Sequence, residues 1–336
     1  MKQSFEVSWA SLWRIFIFVI FVAVLFLGRQ IVLGLFLAIV ISSGLEGVVN
    51  RLERIGLPRS ISVILIFLAA VLVIILIVYM VLPLAIVELN TILGVIGKTS
   101  GGLSFLASFN GVKTMSGFIN QLSSQIFSNT ATPLSFFSSA VGSFGLAFAV
   151  IISSFYLCLS RDGVERFLKV VTPPDYEATA LRIYERSRAK MGAWFQMQLF
   201  SSAIMGFIIW GGLTLLNVKY AFLIGVLGAI FEIIPFIGPI LSGTLAVISA
   251  LATSTVLAIY TLIFFLIAQQ FESHFLVPIL NRRSVGLHPV IVITAVLIGA
   301  EVGGFLGIVI SIPAAAVFQE VITDWSIQKR AGIKSA

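Results

Sequence analysis

The chain has 336 residues, of which 59% are hydrophobic and only 10% charged, with a net charge of +7. Soluble domains carry about 25% charged residues, so the composition excludes an ordinary soluble enzyme and leads to an all-α, polytopic transmembrane helical protein with membrane lipid as its surroundings. The positive charge does not argue for nucleic acid, because the basic residues cluster between apolar runs, where they orient a chain in a bilayer.

A membrane span needs about 20 apolar residues. Runs of this kind stand at 11–28, 31–49, 61–82, 136–159, 193–216, 255–275, 289–305 and 306–323, about eight in all. The first run is followed by no small-residue cleavage site and reads as a retained span. Residues 1–83 thus form an N-terminal block of spans. Residues 84–135 are rich in Ser, Thr, Asn and Gly, and their only charges are Glu88, Lys98 and Lys113. Stretches such as "GFINQLSSQIF" repeat apolar residues at helical spacing, so amphipathic helices are expected there, outside the bilayer or between subunits.

Residues 136–192 combine a span with a cytoplasmic helix. "TPPD" signals a turn, and Thr172 or Asp175 starts the helix. Ala178, Leu181, Tyr184, Arg188, Met191 and Phe195 share one face, while Arg182, Glu185, Arg186 and Lys190 lie opposite as a basic, membrane-facing surface. Residues 193–325 form a C-terminal transport core, and 326–336 a cytoplasmic tail. With both termini placed in the cytoplasm, 17 basic residues fall inside and 4 outside (Arg29, Lys98, Lys113 and Lys219), the asymmetry that the positive-inside rule requires.

Residues 220–253 are apolar but interrupted by "FEIIPFIGPILSG" at 231–243. Lys219 lies outside, and the span at 255–275 must run inward to deliver Arg282 and Arg283 to the cytoplasm. The interrupted segment therefore enters and leaves on the same side. Two arms of about 15–17 residues, roughly 25 Å each at 1.5 Å per residue, meet at the break, as a re-entrant hairpin or as two short spans. Broken backbone at membrane depth is tolerated where protein buries it or water lines it.

Sequence motifs for catalysis are missing. No Gly-rich nucleotide loop follows a strand, no Walker lysine or G-x-S-x-G elbow occurs, and two histidines, His274 and His288, are too few for a metal cluster. Cys158, the one cysteine, sits in an apolar run and reads as a small buried hydrophobe, with no disulfide framework. No cofactor and no metal site is expected. The informative residues are carboxylates at membrane depth, which are costly and mark solute or ion paths. Glu232 flanks the helix break, and Glu272 shares a helical face with Gln269; both are candidates to line or gate a path, or else to cap helix ends or pair with Arg282 or Arg283. Glu301 sits near the outer end of its span. Glu46 reads as interfacial, and Glu320 and Asp324 as a solvated helix end. Gly299, Gly303, Gly304 and Gly307 form a small-residue packing face.

These motifs resemble one family. "FEIIPFIGPILSG" followed by "QQFESHFLVPILNRRSVGLHPVIVITAVLIGAEVGGFLGIVISIPAAAVFQEV" is similar to the autoinducer-2 exporter family, also called PerM-type permeases. The resemblance covers nearly the whole chain in layout and is most specific over 231–321. Its elements fall on Glu232, Pro235, Gly238 and Pro239; on Gln269 and Glu272, followed by Pro278; on Val285 to Pro289, including His288; and on the glycine-rich turn and Ile–Pro pair ending at Gly307 and Pro313. Arg282 stands where the family commonly carries a glycine. The resemblance implies a transporter of the inner (plasma) membrane that exports small polar signals, the autoinducer-2 of quorum sensing or related metabolites. It also implies homo-oligomers, with pentamers known in the family. Other members are linked to sodium–proton antiport, so a cation substrate is the alternative.

Overall fold

The computed structural model describes residues 9–98, 133–234, 237–280 and 286–334, which are built from helices with no strand among them. In chain order these are α1 (Trp9–Leu27), α2 (Arg29–Arg54), α3 (Arg59–Lys98), α4 (Pro133–Leu159), α5 (Gly163–Val171), α6 (Pro174–Leu215), α7 (Ala221–Phe231), α8 (Ile237–Leu251), α9 (Thr255–Phe271), a π-helical turn (Glu272–Leu276), α10 (Val277–Leu280) and α11 (Pro289–Lys334). Among the described residues, five helical stretches are long and apolar enough to cross a membrane: Arg29–Arg54, Arg59–Ile77, Pro174–Leu215, Thr255–Ile279 and Pro289–Lys329. A sixth is possible if Gly145–Leu159 and Gly163–Val171, bent by 90°, count as one. The polytopic helical architecture expected from the apolar runs is the one observed. Residues 99–132, most of the expected amphipathic segment, lie outside the described residues, as do Arg282 and Arg283.

Chain chemistry explains the junctions. α1 and α2 meet at Gly28 without a connecting loop, and Gly28 N–H still donates to the Val24 carbonyl at 2.8 Å. α6 ends where Asn217 and Tyr220 both adopt φ of 57°, a left-handed conformation that stops a helix. Ser254 caps α9 by accepting from the Leu257 N–H at 3.1 Å.

α6 is the strut of the molecule. Its 42 residues span about 63 Å at 1.5 Å per residue, twice the hydrocarbon core of about 30 Å. It runs unbroken from the segment expected in the cytoplasm into the expected span at 193–216. One flank packs Ile209 and Leu213 with Ile224 of α7, Ala246 and Ala250 of α8 and Phe265 of α9. Its other half packs Met191 and Trp194 with Val40 of α2 and Ile312 and Ala316 of α11.

The projecting half of α6 is held by ion pairs, and two expectations fail here. Glu320 and Asp324 are not a solvated helix end: they are 5% and 3% exposed. Nor do Arg182, Arg186 and Lys190 form a free basic surface. Arg182 donates to both Asp324 oxygens at 2.9 and 3.1 Å, Arg186 approaches Asp324 at 3.9 Å, and Lys190 pairs with Glu320 at 2.5 Å. On the opposite side Arg188 pairs with Glu46 of α2 and with Glu165 of α5. Helical periodicity placed the basic residues on a membrane-facing surface and the two carboxylates at a solvated helix end, but the end of α11 docks on that surface and buries the carboxylates.

α11 is two helices. Gly304 has φ 57° and ψ −135°, a conformation reserved for glycine. Eight residues of straight helix span about 12 Å, yet a Cβ on Gly299 would overlap the carbonyl of Gly307, and one on Gly307 that of Gly299. The chain therefore doubles back at Gly304, where the expected spans 289–305 and 306–323 adjoin. Gly303 faces Leu33 of α2, and Pro313 is fully buried in the returning arm. Gly304 itself meets nothing in the direction of a Cβ; it is the turn rather than part of the packing face.

Candidate functional site

The interrupted hairpin is α7 and α8. The arms have 11 and 15 residues, about 17 and 23 Å, so α7 is shorter than expected and neither arm crosses a core of about 30 Å alone. At the open end, Ser249 Oγ donates to the Lys219 carbonyl at 3.4 Å, so the chain leaves beside the point where it entered.

Pro235 lies outside the described residues. Gly238 and Pro239 fall within the first turn of α8 rather than in the break, and there proline's missing N–H leaves no bond unmade. Gly238 does not need a special backbone angle. Its role is close approach: a Cβ would overlap the Phe231 carbonyl and stand 2.8 Å from Glu232 Cα. Gly238 N–H donates to the Ile234 carbonyl at 2.9 Å. These contacts press the start of α8 onto the end of α7 and fix the tip.

Glu232 caps α7 and is 2% exposed. It does not face an open aqueous cavity. Gln198 of α6 donates through Nε2 to the Glu232 backbone carbonyl at 2.5 Å, which satisfies an acceptor that the helix end would otherwise leave bare. Glu232 and Glu272 reach neighbouring turns of α6, Glu232 through its backbone carbonyl to Gln198 and Glu272 through its carboxylate to Ser201. Glu232 Oε2 is buried with no hydrogen-bond partner. Glu272, also buried, accepts from Gln269 Nε2 at 3.0 Å and from Ser201 Oγ at 3.4 Å. Ser202 Oγ is buried nearby in sequence, without a partner.

The backbone at Glu272 is unusual as well. The Val277 N–H reaches back to the Glu272 carbonyl, five residues away, in the π-turn. Pro278 gives the physical reason: it has no N–H to donate to the His274 carbonyl, so the regular ladder fails and the turn widens. π-bulges of this kind occur frequently at functional sites.

The structure thus brings together Glu232, Gln269 and Glu272, with Gly238 and Pro239 shaping the tip. It does not bring in His288 or Pro289. Both are exposed at the start of α11, where His288 Nδ1 accepts from the Val290 N–H at 3.3 Å. Sequence reasoning missed Gln198, Ser201 and Ser202. Their spacing was the available signal, since positions i, i+3 and i+4 in "QLFSS" place three polar side chains on one face of an apolar helix. Among the described residues no three His, Cys, Asp or Glu side chains come together as a metal site.

The family model that describes AI-2E family transporters matches residues 15–327. The chain belongs to this family. It is 24% identical over 301 residues to YrrI of Bacillus subtilis (strain 168), named as a transport protein, covering 87% of this chain and 85% of that one. To YueF of the same organism, also named for transport, it is 29% identical over 147 residues, 44% of this chain and 40% of that one. To PerM of Escherichia coli (strain K12), named as a permease, it is 38% identical over 61 residues, 18% of this chain and 17% of that one. The matches to these relatives thus range from most of the partner's length to less than half of it. With several apolar membrane-length helices, family membership makes this a multi-pass membrane transporter.

Proposed function

We propose that this AI-2E family transporter exports a small polar solute, of the hydroxyl-rich class that includes autoinducer-2, and that the α7–α8 hairpin is its gate. One observation carries the reading. The tip of a helical hairpin too short to cross the membrane meets a polar cluster of Gln198, Ser201, Gln269 and Glu272, and unused hydrogen-bonding capacity remains at Glu232 Oε2 and, on the same face of α6, at Ser202 Oγ. Buried polar groups normally find partners. Groups left without one in a transporter suit a hydroxylated solute that visits rather than stays. Lifting the tip would expose these groups together with the carbonyls of the broken backbone, which replace the water that a polar solute loses on entering.

The membrane in this proposal is the plasma membrane. The family resemblance supports homo-oligomeric assembly, in which exposed apolar faces such as Val290, Ile291, Leu297 and Ile298 meet lipid or a second copy. The test is counterflow in proteoliposomes containing the full chain. Saturable exchange of a hydroxylated five-carbon solute, absent for an apolar analogue of equal size, supports the reading. Sodium–proton exchange with no solute flux overturns it.

A further inference from the structure

We propose that α5 is an interfacial helix: its outer face lies in the headgroup region of the bilayer that α4 crosses, and Arg166 and Lys169 hold anionic phospholipid there. α4 has 27 residues, about 40 Å of helix, which is more than the hydrocarbon core of about 30 Å. α5 turns away from the end of α4, Gly145–Leu159, by 90°. A helix perpendicular to a spanning one runs along the membrane surface. Only residues 160–162 separate the two helices, and the backbone stays bonded through them. Ser160 N–H donates to the Tyr156 carbonyl and Arg166 N–H to the Asp162 carbonyl, each at 2.9 Å. α5 therefore sits at the level where α4 leaves the hydrocarbon.

The outer face of α5 is apolar. At about 100° per residue, Val170, Phe167 and Val171 fall on one arc of roughly 100°. They are 85%, 64% and 61% exposed. Val164 and Leu168, next on the same stripe, are half-buried where α5 packs on α6. Half of the apolar stripe is thus turned to protein, and half is left uncovered among the described residues. A bare apolar wedge on a short helix at the end of a span fits the boundary between headgroups and acyl chains.

The charges name the lipid. Arg166 and Lys169 flank the bare arc and Arg161 lies in the turn, all three exposed, with Asp162 as the one exposed acid beside them. The acid within α5, Glu165, is drawn to Arg188 of α6 at 3.7 Å, and Arg188 pairs with Glu46 of α2 as well. These ion pairs take the acid off the outer face, leave the cations on it, and fix α5 against α6 and α2. Long cationic side chains beside an apolar wedge lay their stems along it and reach phosphate with their heads. The loop-charge asymmetry puts this end of α4 on the expected cytoplasmic side, where the leaflet is anionic. The anchor does not depend on which solute is carried.

The test uses the full chain with one fluorophore, attached at Val170→Cys or at Phe167→Cys in a background lacking Cys158. It is reconstituted in vesicles of phosphatidylcholine and phosphatidylglycerol in equal amounts, with one lipid or the other brominated on its acyl chains. Both labels should be quenched, and by brominated phosphatidylglycerol in preference to brominated phosphatidylcholine by roughly fivefold or more. Arg166→Gln with Lys169→Gln should abolish the preference and leave the melting temperature unchanged, because both side chains are exposed. The two label sites are independent, so loss of one variant leaves the other to decide. Absence of quenching at the labelled face, as when a second copy of the chain covers it, overturns the proposal. Equal quenching by the two lipids overturns it too, and so does a preference that survives the double substitution.

Discussion

Lys190 on α6 meets Glu320 on α11 at 2.5 Å, and the two ends of the pair differ in burial: the lysine side chain is 30% exposed and the glutamate 7%. The lysine can return to water if the pair is broken. The carboxylate, covered by the returning arm of α11, cannot.

That asymmetry sets the first prediction. Lys190→Ala strands a buried carboxylate and should destabilise the protein by roughly 1–3 kcal/mol. Glu320→Gln leaves a neutral amide in the same space and an ammonium free to hydrate, and should cost less than about 1 kcal/mol. Thermal unfolding of the two variants in the same lipid checks the order. Equal or reversed losses would show that α11 does not dock on α6 as described.

The second prediction concerns topology. Ser249 Oγ reaches the Lys219 carbonyl, so both roots of the hairpin lie on one side. Single cysteines at 219 and 253, in a background lacking Cys158, should label with an impermeant thiol reagent from the same side of intact cells. Labelling from opposite sides would mean that α7 and α8 together make one crossing.

At Gly238 even a methyl group meets backbone, the Phe231 carbonyl and Glu232 Cα, and backbone cannot rotate away as a side chain can. Gly238→Ala should therefore destabilise by about 1–3 kcal/mol, as overpacking does, and should reduce transport by displacing the tip. Wild-type melting and flux in this variant would show that the arms do not approach this closely.

At Gly304 the limit is conformational. The left-handed φ of 57° with ψ of −135° costs a residue with a side chain on the order of 1–3 kcal/mol. Gly304→Ala should lower the melting temperature and increase the distance between spin labels placed on the two arms of α11. An unchanged distance distribution would remove the turn from this position.

Much of this was legible in the sequence, for physical reasons that differ by region. Apolar runs report burial in lipid directly, so α2, α6 and α9 appear close to where composition places them, while α3 starts as expected but runs on to Lys98, past the expected end at 82. The break in 231–243 was legible because proline and glycine act on the backbone locally. The roles of individual residues there were not, because helix α8 starts at Ile237 and takes in Gly238 and Pro239. Helix starts depend on tertiary contacts as much as on residue type. Asp324 and Glu320 were misread because a charged residue near a helix end looks the same in sequence whether it meets water or an arginine 142 positions away. Gln198 was legible only as part of a polar stripe with Ser201 and Ser202; its partner, a backbone carbonyl at 232, is announced by no residue type.

The central claim is that the hairpin tip, through the Glu232 carboxyl, governs passage of a polar solute. Its most direct test is the initial rate of hydroxylated-solute flux in proteoliposomes for wild type and Glu232→Gln, each shown to be inserted and thermally stable. The account predicts saturable flux in the wild type and a loss of about tenfold or more in Glu232→Gln, the order of effect expected when an interaction worth about 1.4 kcal/mol or more is removed from a rate-limiting step. A folded Glu232→Gln protein that carries the solute at the wild-type rate would contradict it.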